Sequence, residues 1–313
     1  MISCCRWLGV TMILPTIEHR YQNALMDSGR WANFVPRNSD IIISTPYKSG
    51  TTWTQQICAL LIFQSVKLDE PLSRKSPWLD QMVKPLEKVL DTYARQEHRR
   101  FIKTHTPLSA LPYYSNATYL VCGRDPRDAF ISMENHYANI DWPKFGALLA
   151  QNGDFGDPPP TLPENVNDRF KLWLNQGSFP WETDGFPFWS LFHHLQSFWR
   201  FRELPNIHFI HYADLQSDLA GEMRRIAAIL DIEIVDSLWP VLVNAATFSE
   251  MKQRHQEIAP NADQGIWQDT SKFFNKGTSG QWQNVLSDDC LRLYAAAKQE
   301  KLEPSLMQWL DHH

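Results

Sequence analysis

The sequence has no CxxC pair, no internal repeat, no block of like charge, and no apolar stretch at its start long enough to span a membrane. It also lacks a basic surplus: 30 Lys and Arg stand against 35 Asp and Glu, a net charge of −5 over 313 residues. That balance argues against a general nucleic-acid binder, whose footprint is basic. It leaves room for a small anionic ligand, which needs only a few local cations. The five cysteines, at 4, 5, 58, 122 and 290, are odd in number and scattered, and Cys58 and Cys122 lie inside apolar runs. They read as reduced thiols of a cytoplasmic protein. The opening MISCCRWLGVTMILP is too short and broken for a span and has no small-residue cleavage site. Met12 offers an alternative start, and residues 1–20 are expected to be flexible. What remains is the composition of a globular chain, 43% hydrophobic and 21% charged. Its 13 Trp suit either core packing or a flat apolar ligand.

Short apolar runs at 41–44, 101–104, 118–122 and 207–212 alternate with helical spacing, the pattern of buried parallel strands. Trp53, Ile57, Leu60 and Leu61 form the first helical stripe. Pro126, Ala129, Phe130, Met133 and Tyr137 form the second, and Leu215, Leu219, Met223, Ile226 and Leu230 the third. The predicted fold is one α/β domain over 1–313, a central parallel sheet flanked by helices on both faces. Residues 139–190 break the rhythm. GDFGDPPPTLPEN is loop chemistry, and the aromatic WLNQGSFPWETDGFPFW has no clear period. The whole stretch is expected to be a lid or acceptor-binding insertion.

IIISTPYKSGTTW (41–53) runs from a strand through a tight turn into a helix. Free amides and the dipole at the helix start favour an anion. Gly50 allows close backbone approach, Lys48 supplies a cation, and Ser49, Thr51 and Thr52 supply hydroxyls. This is a phosphate cradle, with a capped helix as the plainer alternative. It departs from GxxxxGK[ST] because Lys precedes Gly. VCGRDPRDAFISM (121–133) repeats the arrangement: Pro126 suits a first helical turn, and Arg124 sits at a strand end where it can fork a phosphate. Ser132 lies about two turns on, on the side of Arg124 and Asp128. A salt bridge from Arg124 to Asp125 or Asp128 is the alternative, and Arg127 reads as structural. His105, in KTHTP, ends the strand between the two motifs, where an imidazole can take a proton from a hydroxyl. His193 and His194 share no metal-ligand spacing, and no metal is expected. His194 reads as a helix-surface residue or as part of an acceptor pocket, and 312–313 as a tail.

TPYKSGTTW resembles the TYPKSGTTW loop of the cytosolic sulfotransferase family, which moves sulfonate from 3′-phosphoadenosine-5′-phosphosulfate (PAPS) to an acceptor and leaves adenosine 3′,5′-bisphosphate. The resemblance implies that Lys48, Ser49, Gly50, Thr51 and Thr52 hold the 5′-phosphosulfate and that Trp53 stacks on adenine. The Tyr–Pro swap is expected to matter little. By the same resemblance Arg124 and Ser132 bind the 3′-phosphate, His105 is the general base, and Lys103 assists at the transferring group. Tyr212 of IHYADL matches an adenine-contacting Tyr. Phe248 and Met251 match TSFxxM, whose Thr falls on Ala246. NKGTSGQW resembles RKGxxGDW, with Asn275 in place of Arg, Lys276 and Gly277 retained, and Gln281 in place of Asp. The dimer motif KxxxTVxxxE is not recognisable, so no oligomeric state is predicted. SPWLDQ and HRRFIKTHTPL are similar to bacterial members, mycobacterial glycolipid sulfotransferases among them. The implied acceptor is a small molecule or a lipid-linked sugar hydroxyl, with no nucleic acid, membrane span or metal involved. An ATP-dependent kinase and a catalytically silent nucleotide binder are the competing readings.

Overall fold

The structure, a computed structural model, describes residues 4–7, 10–151 and 160–311. Residues 152–159 of the expected loop, the 312–313 tail and the side chains of Cys4, Cys5 and Met12 lie outside the described residues. Within the 1–20 stretch, β1 (Cys4–Trp7) and β2 (Val10–Ile13) pair antiparallel. The amides of Glu18 and His19 then both donate to the Ser109 carbonyl, tying this segment to the body.

The four apolar runs form one parallel sheet: β3 (Ile41–Ser44), β4 (Phe101–Thr104), β5 (Thr118–Gly123) and β6 (Ile207–His211), in the order β4-β3-β5-β6. Side chains alternate across it. Ile42, Ile102, Tyr119 and Val121 enter one core, and Ile41, Ile43, Phe101, Leu120 and Cys122 the other. Both faces are therefore covered, which is why the strands read as continuous apolar runs. α1 (Thr51–Phe63) follows β3 and α2 (Pro126–Ala138) follows β5. Strand order reverses at β3, which has β4 on one side and β5 on the other, so a crevice opens at the carboxyl ends of these strands. Cys58, Cys122 and Cys290 are buried free thiols, and burial pushes the first two up to about 12. Among the described residues no helix is long and apolar enough to cross a membrane.

Two expectations need correction. The third stripe is not one helix but two, Tyr212–Ser217 and Leu219–Ile229. Asp218 breaks it by accepting the Gly221 amide and capping the second helix. Nor is 139–190 irregular throughout. α3 (Trp142–Ala150) starts on an Asp141 cap. α4 (Val166–Asn175) buries Phe170, Trp173 and Leu174 in the main core, so Trp173 belongs to the core. Trp181 stacks on His19 at 4.3 Å, outside the crevice. The turn between α4 and α5 (Leu191–Trp199) is anchored by two buried carboxylates. Glu182 accepts from the Tyr21 hydroxyl and the Ser190 amide, each at 2.9 Å. Asp184 accepts from the Ser190 hydroxyl and the Leu191 and Phe192 amides, capping α5.

Burial pushes the Glu182 carboxyl up to about 7, well above its unfolded value. The native state therefore holds a proton that the unfolded chain releases, and stability should fall as pH rises from about 4.5 to about 7. The linked loss is on the order of 3 kcal/mol for this one group. Urea unfolding at a series of pH values should show a steeper decline in the wild type than in Glu182→Gln; equal slopes would contradict the assignment.

Candidate active site

The chain turns at the ends of all four parallel strands to line one cleft of about 800 Å³. After β3, Lys48 adopts φ 60° and Gly50 φ 105°, so the turn is left-handed at two points. A Cβ on Gly50 would come within 3.1 Å of Cys122 Sγ and of the Tyr212 ring, and glycine is needed there for space as well as for φ. The Thr54 amide donates to the Gly50 carbonyl, the first bond of α1. The amides of Thr51, Thr52 and Trp53 lie ahead of it, in the helix-start position that favours an anion. Lys48, Gly50, Thr51, Thr52 and Trp53 all line the cleft. Ser49 does not: it is fully buried, and its hydroxyl donates to the Tyr47 carbonyl.

Arg124, 4% exposed, reaches across from β5. Its guanidinium donates to the Lys48 and Thr278 carbonyls at 3.2 and 3.0 Å and lies 4.2 Å over the Tyr212 ring. Its Nε is buried without a partner. The salt bridge goes instead to Arg127, which pairs with Asp125 at 2.7 Å. Asp128 accepts the Gly280 and Gln281 amides, at 2.8 and 2.7 Å, so it docks the 275–282 segment onto α2 through backbone. Ser132, Asn275, Lys276, Gly277 and Phe248 line the same cleft. Gly277, at φ 65°, packs so closely that a Cβ would lie 2.3 Å from the Phe248 ring. Trp53 donates its indole N–H to the Ala246 carbonyl at 2.8 Å and meets Tyr212 edge-on at 5.2 Å. The Ala246 carbonyl thus anchors Trp53 from the position where the family pattern has Thr. Thr247 caps the next helix.

His105, 4% exposed, points Nδ1 at the Thr45 carbonyl at 2.8 Å. Nδ1 therefore carries the proton and Nε2 keeps its lone pair. Burial, then the Lys103 charge, holds this imidazole well below its usual range, so it is neutral. Asp80, fully buried, accepts from the hydroxyls of Thr104 and Thr106, the two neighbours of His105, and from the Trp31 indole. Lys103 lies 4.8 Å over the Trp78 ring, and burial lowers it to about 8 while the Asp80 charge opposes the drop. Lys48 is lowered to about 7 by burial, then by the charges of Arg124 and Lys103.

Three placements were not legible from the motifs. Tyr47, the swapped residue, stacks on His105 at 4.3 Å and 18°, an aromatic wall against the imidazole. His194 neither lies on a helix surface nor lines the cleft: it is fully buried, with Nε2 2.9 Å from the Ser44 hydroxyl. His136 lines the cleft with Nδ1 3.3 Å from Lys48 Nζ. The spacing of four puts it on the face of α2 that carries Ser132, a local hint that does not reveal Lys48 as its partner. Beyond His136 the cleft turns apolar, walled by Ile140, Trp142, Phe145, Leu149 and Trp267, with Phe188 and Trp189 on the His105 side. Of the aromatic insert, Trp142 and Trp189 reach the cleft while Trp173 and Trp181 do not.

A family model described as a sulfotransferase domain matches residues 38–305. A glycolipid sulfotransferase of Mycobacterium bovis is 39% identical over 304 residues, covering 92% of this chain and 93% of its own. Sulfotransferase 1B1 of Canis lupus familiaris is 26% identical, covering 86% of each chain. Among solved structures, a mouse sulfotransferase complexed with PAP superposes with a TM-score of 0.67 at 21% identity over 99% of this chain and 98% of that one. Retinol dehydratase in complex with androsterone and PAP follows at 0.66, also 21% identical, covering 89% and 87%. With the matched domain spanning every strand end that lines the cleft, this chain belongs to the sulfotransferase domain family and is a sulfotransferase.

Proposed function

We propose that the enzyme transfers sulfonate from PAPS to a hydroxyl of an apolar, lipid-linked acceptor. The observation that carries this reading is the fixed tautomer of His105, a neutral imidazole with Nε2 free at the point where the anion cradle meets the apolar half of the cleft. The residues present fit the donor. Lys48 and the amides of Thr51–Trp53 suit the 5′-phosphosulfate, Arg124, Ser132, Asn275, Lys276 and Gly277 suit the 3′-phosphate, and Trp53, Tyr212 and Phe248 suit the adenine. Asn275 offers an amide where a second guanidinium would add charge, so Arg124 and Lys276 carry more of that contact.

In this reading His105 Nε2 takes the acceptor's hydroxyl proton as its oxygen bonds to sulfur. The bond from sulfur to the phosphate oxygen breaks in line, and that oxygen leaves on adenosine 3′,5′-bisphosphate. Lys48 stabilises the charge that develops on it, and Lys103 with the turn amides holds the sulfonate oxygens. Asp80 keeps His105 in place through Thr104 and Thr106. The hydrophobic wall of α3 and Trp267 suits an alkyl chain, and the glycolipid sulfotransferase at 39% identity points the same way. The buried unpaired thiols suit a reducing, cytoplasmic compartment. We further take 1–313 as one domain in which α3, Phe188 and Trp189 supply the acceptor wall expected of 139–190.

His105→Ala should lower sulfonate transfer to a phenol or glycolipid acceptor by about 10²-fold or more while calorimetry finds adenosine 3′,5′-bisphosphate binding unchanged. Retention of most activity would remove His105 from the base role. Gly277→Ala should weaken binding of that nucleotide, because the new methyl group displaces Phe248 and strains a positive φ; unaltered affinity would place Gly277 and Phe248 outside the donor site.

A further inference from the structure

The Lys48 ammonium is held on two sides. His136 Nδ1 lies 3.3 Å from Nζ, and the Phe273 ring faces it at 4.6 Å. His136 is itself fixed, edge-on to Trp267 at 4.9 Å and to Phe273 at 5.9 Å. Burial, then the Lys48 and Lys103 charges, keeps its imidazole well below its usual range, so the ring is neutral. With Nδ1 facing Lys48, the ammonium is the donor and the ring the acceptor. An acceptor bonds the ammonium more strongly than the neutral amine and so favours the charged form, and a cation over an aromatic face is favoured too. Opposing them are burial and the charges of Arg124 after β5 and Lys103 on β4. His105 after β4 is neutral, and Lys276, on the segment that carries Phe273, lines the same cleft.

We propose that His136 is a positioning residue for the transfer: it seats the Lys48 ammonium against Phe273, favouring the charged form of that lysine and holding it at the mouth of the anion cradle. The inference rests on the reading of the Lys48–Thr52 turn as the 5′-phosphosulfate cradle. It links that turn to α2, four residues beyond Ser132, and to the segment before Asn275.

The test is calorimetric titration with adenosine 3′,5′-bisphosphate from about pH 6 to about pH 9, in two buffers of different ionisation enthalpy, so that linked proton uptake is read directly. His136→Phe keeps an aromatic ring but removes the acceptor. His136→Asn places a carbonyl oxygen near the position of Nδ1, and Phe273→Leu removes the other side of the seat. In the wild type, affinity should decline as pH rises through about 7, with proton uptake on binding. In His136→Phe the decline should start about one pH unit lower, with several-fold weaker binding and greater uptake near neutrality. Phe273→Leu should shift the profile the same way by less, and His136→Asn should restore the wild-type profile. A His136→Phe profile with the wild-type midpoint and uptake overturns the proposal, even if affinity drops uniformly. Should His136→Phe fail to fold, an unshifted Phe273→Leu profile overturns it instead. A wild type that does not bind the nucleotide sinks the donor reading, and this inference with it.

Discussion

The structure depends on bringing like charges together in a cleft with little to neutralise them. Lys48, Lys103 and Arg124 converge at the carboxyl ends of three adjacent parallel strands. Among the described residues none of the three forms an ion pair with a carboxylate. Burial is the first cause that lowers both lysines, to about 7 and about 8, and the charges of Arg124 and Lys103 lower Lys48 further. Such an arrangement is costly unless an anion resolves it, and an incoming sulfonate and two phosphates would do so. The fold supplies the rigidity that keeps the cations from relaxing apart: a sheet buried on both faces, and turns held by Gly50, Asp80 and Asp128.

The carboxylates lie one layer out and form no ion pair with these cations; the Asp80 charge offsets part of the burial of Lys103, and each carboxylate orients its neighbours. Asp80 fixes both threonines beside His105, Asp128 takes the Gly280 and Gln281 amides, and Asp125 takes Arg127. Ordering the backbone around the cations leaves them available to the proposed polyanionic donor while the site still presents a neutral imidazole. The overall charge of −5 conceals this local reversal of sign.

Much of this was legible in the sequence because it is local. Four apolar runs marked four strands to within a residue, since a strand buried on both faces needs apolar residues throughout. The strand–turn–helix at 41–63 was readable because its chemistry lies in consecutive residues. What escaped depends on distant partners. His136 acquires meaning only from Lys48, 88 positions away, and His194 only from Ser44, 150 positions away. Asp80 gave no sign of gripping the strand end that carries His105. The 139–190 stretch looked irregular because its helices are short, one facing the cleft and the other the core, with a carboxylate-anchored turn following the second.

The central claim is that this cation cluster is built for a nucleotide with phosphates at both the 3′ and 5′ positions. The most direct measurement is competitive calorimetry of adenosine 3′,5′-bisphosphate against adenosine 5′-monophosphate and ATP with Mg²⁺. The account predicts that the bisphosphate binds at least about 10²-fold tighter than either, on the strength of one buried Arg–phosphate contact supplemented by Lys276, and that Arg124→Ala erases most of the difference. Equal affinities, or preference for ATP with Mg²⁺, would contradict it.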